Sequence, residues 1–125
     1  MTIWKRPVSV ELLTTASLNT AVSHLGIEFL EVGDDFLSAR VPVDPRTLQP
    51  YGLLHGGVSV VLAETLGSCG AVFASPAGWR AVGLDINANH LAASPVAGSS
   101  VLHAPCTLGA PPRFGRLICA TKPVK

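Results

Sequence analysis

At 125 residues the chain has the size of a single domain and no room for a second core of useful size. Hydrophobic residues make up 48% and charged residues 14%, a globular composition with more apolar surface than one small domain usually hides, which favours an oligomer. The formal charge of +1 has no basic cluster behind it beyond Lys5 and Arg6, so the electrostatic footprint of a nucleic-acid binder is missing.

The opening "MTIWKRPVSVELL" has neither an apolar h-region nor a cleavage site, so no secretory signal is expected. No run approaches the roughly 18 uninterrupted apolar residues of a membrane span, so no membrane partner is expected. Cys69, Cys106 and Cys119 are odd in number and lack CxxC or metal-ligand spacing. The expectation is therefore no disulfide framework, no metal and a reducing, cytoplasmic setting.

After a tether containing Trp4, "SVELLTTASLNTAVSHLG" offers Ser9 as a cap and Gly26 as a stop, which predicts a short, broken helix. "IEFLEVGDDFLSARVPV" is two strand-like runs around Gly33-Asp34-Asp35, with Leu37, Ala39 and Val41 alternating against Ser38 and Arg40, a hairpin. A proline-bounded loop follows. From about Gly57 the residues Val58, Val60, Val61, Leu62, Ala63, Leu66, Ala71, Val72 and Phe73 leave no wide polar face, which predicts a long helix enclosed by sheet. "RAVGLDINANHL" alternates Val82, Leu84, Ile86 and Ala88 against Gly83, Asp85, Asn87 and Asn89, the pattern of a long strand with one apolar face. The sum is α+β.

Glu64 is the one charged residue between Gln49 and Ala74. Burying an ionised carboxylate is costly unless it is paired, and this stretch supplies no Lys or Arg. Either Glu64 lies on a narrow solvent-facing seam or meets a basic group from elsewhere, or it works. Ser68 lies four residues on and shares its helix face. His55-Gly56-Gly57 opens the helix, where a ligand oxygen can approach unpaired N–H groups at the positive end of the dipole. A carboxylate, a polarising helix N-terminus and a nearby amide such as Gln49 are the parts needed to attack an activated carbonyl.

The segments "IWKR", "GDD", "PVD-RT-QP-GLLHGG-SVVLAE--GS" and "VGL-INANHL" resemble the hotdog-fold acyl-CoA thioesterases, over about residues 3–91. The resemblance implies an antiparallel sheet wrapped around one long helix, with Glu64 as general base or nucleophile. It implies that the Gly56 N–H and the Gln49 side chain polarise the thioester carbonyl, that His55 orients the substrate or the glutamine, and that Ser68 steers the water. Gly57, Asn89 and His90 fall in the substrate-binding motifs, and His90 helps hold the acyl group. It further implies an acyl-CoA or acyl-carrier-protein substrate, no cofactor, and a homodimer or homotetramer whose sites are shared between subunits. His55 as a mere turn residue and His90 as a hydrogen-bonded strand histidine are the bland alternatives. Between Cys69 and Glu64 as nucleophile the choice is Glu64, since Cys69 lacks an identifiable base.

Beyond Leu91 the chain departs from the family. "AASPVAGSSVLHAPCTLGAPPRFGRLICATKPVK" has five prolines and no sustained alternation where the remaining strands belong. One permitted codon set for "PCTLGAPPRFGRLICATKPVK", read two nucleotides on, yields "LHVGRTTQVWQIDLRNEAGQ", which looks like the family's missing segment. The expectation is a hotdog core over residues 1–91 and a divergent, frameshifted tail over 92–125 without the family's strands. The leading function is thioester hydrolysis on an acyl, aromatic group. A non-catalytic acyl-CoA-binding domain, an inactive truncated product and a hotdog dehydratase are the alternatives.

Overall fold

Ser9 accepts the Leu12 N–H and opens α1 (Val10–Ala16), and Thr20 forms a capping box with Ser23 at α2 (Ala21–His24), so the expected broken helix is two short ones. The computed structural model describes residues 1–83 and 85–94 in full and residues 99–105 as backbone. Asn19 between the helices takes the left-handed conformation, φ 59°, which breaks the helical run.

The hairpin forms as expected, from β1 (Glu28–Val32) and β2 (Phe36–Pro42), paired antiparallel. Its register shifts between Phe29 and Glu31. With a strict period of two, Glu31 would share the inner face with Phe29. The extra residue instead leaves Leu30 and Glu31 both exposed and turns Val32 inward. On β2, Leu37, Ala39 and Val41 are fully buried. They form one core with Leu13, Ile27, Phe29 and, from α3 (Gly56–Phe73), Leu62, Ala63 and Leu66.

An N-terminal strap ties the two ends of this layer together. The Trp4 indole donates to Gly33 O at 2.7 Å, and the Lys5 N–H to Phe73 O at 2.9 Å. The Arg6 guanidinium donates to Val72 O and, at 3.3 Å, to Trp79 O. A cation at the negative end of α3 thus also holds the chain that leaves the helix.

The structure corrects the sequence reading at three places. Residues 80–91, Leu84 aside, join no strand. Alternation fixes which side chains share a face but supplies no neighbour, and both edges of β2 are already taken in the order β1-β2-β3. The second edge is taken by β3 (Ser99–Pro105), antiparallel to β2 from Phe36↔Pro105 to Pro42↔Ser99. One strand therefore does form beyond Leu91; residues 106–125, where most of the shifted-frame reading falls, lie outside the described residues. Third, among the described residues the sheet covers α3 on one side, burying Leu62, Ala63, Leu66 and Gly70 of its 18 residues. By length and composition alone α3, at mean hydropathy 1.4, could cross a membrane, although Glu64 and Ser68 interrupt its apolar run. In this fold its buried face packs on β2.

Candidate active site

The site is built on the loop before α3, the first half of α3 and the chain that returns along it. Thr47, 1% exposed, fixes the loop. Its hydroxyl donates to Pro42 O at 2.7 Å and accepts the Asp44 N–H at 3.0 Å, and its carbonyl accepts the His55 N–H at 2.8 Å. Beside it the Arg46 guanidinium, 2.6 Å from Asp44 Oδ2, and the Arg46 N–H hold the Asp44 carboxyl below the usual aspartate range. Leu48 and Leu54 bridge across the loop, so Gln49 and His55 are carried by one braced turn.

His55 is the N-cap of α3. Its Nδ1 accepts the Gly57 N–H at 2.9 Å, which puts the ring proton on Nε2. The first-turn N–H of Gly56 has no acceptor within the helix and is available to an anionic oxygen. Gln49 is half-buried in the loop, and its Oε1 accepts the Tyr51 N–H at 3.2 Å.

Glu64 answers the question its sequence context raises. It is exposed, so the single chain bears no cost of a buried, unpaired carboxylate, and the solvent-facing alternative describes its place in one chain. Ser68, one turn further along the same face, is half-buried. The return segment is anchored to these elements from one end to the other. Gly83 lies against the Glu64 carboxylate. His90 Nε2 donates to Gly56 O at 3.1 Å, with its ring so close that a Cβ on Gly56 would sit 3.1 Å from it. The Leu54 N–H donates to Ser94 O at 3.0 Å.

The fold therefore brings His55, Gly56, Gly57 and His90 together at the helix N-terminus and places Glu64 with Ser68 farther along the helix. Among the described residues no hydrogen bond joins Gln49 to Glu64 or Ser68. Asn89 is exposed and its amide points to Asn87 Oδ1, 3.4 Å away, rather than to this cluster. Thr47 and Gly83 were not singled out by the sequence reading. For Gly83 a signal existed: an isolated glycine inside an alternating run marks a close backbone approach.

The thioesterase superfamily profile matches residues 51–107, which takes in the helix, the return segment and β3. The chain is 52% identical over 88 residues to the proofreading thioesterase EntH of Cronobacter turicensis, covering 70% of this chain and 64% of that protein. It thus spans just under two thirds of that relative's length. Among solved structures, thioesterase HI1161 from Haemophilus influenzae superposes with a TM-score of 0.82 at 47% identity, over 87% of this chain and 76% of that one. A glutamine-to-alanine mutant of thioesterase PA1618 from Pseudomonas aeruginosa gives 0.82 at 40% identity, over 87% and 79%. A carboxylate helix opened by His55-Gly56-Gly57 and likeness on this scale lead to one conclusion: the chain belongs to the thioesterase superfamily and has the hotdog fold.

Proposed function

We propose that the protein hydrolyses an acyl thioester, with an aromatic acyl group carried on coenzyme A or on a carrier protein's phosphopantetheine. The observation that carries this reading is the exposed Glu64 carboxylate on the helix whose N-terminus holds Gly56 and His90 in contact. Water held by Ser68 attacks the carbonyl carbon and gives its proton to Glu64. The carbonyl oxygen becomes an oxyanion facing the Gly56 N–H and the Gln49 amide. Collapse breaks the C–S bond, and the thiolate leaves with the proton that Glu64 took up. Attack by the Glu64 carboxylate itself, followed by hydrolysis of the anhydride, uses the same groups.

Among the described residues no hydrogen bond joins Gln49 to Glu64, which supports a site completed across a homodimer or homotetramer, with the helix of one subunit facing the loop of the other. Thiol release from benzoyl-coenzyme A and from the same acyl group on a carrier protein tests the reading and separates the two carriers. Glu64→Ala is expected to lower kcat by several orders of magnitude with substrate binding retained, since the carboxylate acts chiefly in the transition state. Binding without release by the unaltered chain would assign a sensor instead.

A further inference from the structure

We infer that Gly83 is a positioning residue for the Glu64 carboxylate, acting by the space its missing side chain leaves; this rests on Glu64 being the group that performs the hydrolysis. A Cβ built on Gly83 would overlap Glu64 Oε1 and lie 3.1 Å from Cδ and 3.6 Å from Cγ. The carboxylate therefore occupies the volume that any other residue would fill.

Conformation does not explain this glycine. The glycines with positive φ are Gly26, Gly52 and Gly78, so the Gly83 backbone is one that any residue adopts. Packing within the chain does not explain it either, because Gly83 is exposed there. In the alternating run the other members of its set, Asp85, Asn87 and Asn89, all carry polar side chains, and only the position facing Glu64 carries none.

A methyl group there would cost the fold little, since what must move is the far end of a flexible, exposed side chain. What moves is the reacting group itself. Misplacement by about 1 Å costs on the order of 100-fold in rate.

The test uses the full chain. Gly83→Ala is expected to lower kcat on benzoyl-coenzyme A about 10-fold to 100-fold, with KM and the melting temperature unchanged. Glu64→Asp withdraws the carboxylate by one methylene and clears the added methyl, so Gly83→Ala in that background should cost much less than in the parent. Glu64→Ala distinguishes the two levels: unchanged turnover there overturns the assignment of Glu64. Turnover lost there but kept in Gly83→Ala overturns the role of Gly83. A readout independent of activity is the nuclear Overhauser contact between Gly83 Hα and Glu64 Hγ. It is expected in the parent chain and lost in Gly83→Ala, and its absence from the parent overturns the inference.

Discussion

Thr47 is a polar side chain in the interior, and its hydroxyl both donates to Pro42 O and accepts from the Asp44 N–H. Thr47→Val keeps the shape but strands both groups, which is expected to destabilise the fold by about 1–3 kcal/mol. Urea unfolding checks this through a lower midpoint with an unchanged m-value; an unchanged midpoint would mean that water replaces the hydroxyl. Asp44 gives a prediction in pH. Its carboxyl is depressed, first by the Arg46 guanidinium and then by the Arg46 N–H. A depressed carboxyl contributes stability that is present above its unfolded pKa and is lost as pH falls through its lower folded pKa. The stability difference between the parent and Asp44→Asn should thus be present at neutral pH and vanish in acid, and a titration of Asp44 by NMR should place its midpoint below that of an ordinary aspartate. Glu64 shows how far residue reading reaches. Its isolation among uncharged neighbours singled it out, but whether it is buried depends on how much sheet covers α3, which no spacing along the helix records.

At the scale of elements, His55 joins local chemistry to the site, because capping α3 and presenting Gly56 are one geometry. His55→Ala removes the acceptor for the Gly57 N–H and is expected to cost about 1 kcal/mol, whereas His55→Asn, a good N-cap, should restore most of it. Thermal unfolding of both variants checks this; equal losses would mean that the ring packs rather than caps. The helix start, the Ser9 cap and the hairpin were legible because each is decided by neighbours in sequence. The return segment was not. Val82, Ile86 and Ala88 have a strand's alternation, but a strand needs a partner edge, and here the segment lies along α3 through Gly83 and His90. β3 went the other way. "SSVLHAP" has little periodicity, yet the second edge of β2 offers unpaired N–H and C=O groups, and a short run with Val101 and Leu102 suffices to pair with them.

For the whole molecule, the described chain after α3 leaves Trp79, Val82, Ile86 and Leu91 exposed, Val82 at 88% and Leu91 at 94%. Covering apolar area yields roughly 25 cal/mol per Å², so side chains this exposed favour association where a partner covers them. On the reading proposed above, a second copy covers them and brings its Gln49 loop to Glu64, so association and turnover should rise and fall together. Sedimentation equilibrium of the full chain is expected to show a dimer or tetramer. Ile86→Asp, which places a charge in that face, should shift the population towards monomer and lower thiol release in proportion, with Glu64 and Gln49 both intact. Activity per chain should also fall on dilution through the dissociation range. A monomer that turns over benzoyl-coenzyme A at full rate, or an Ile86→Asp variant that dissociates yet stays active, would mean that one chain holds a complete site and that Gln49 reaches Glu64 without a partner.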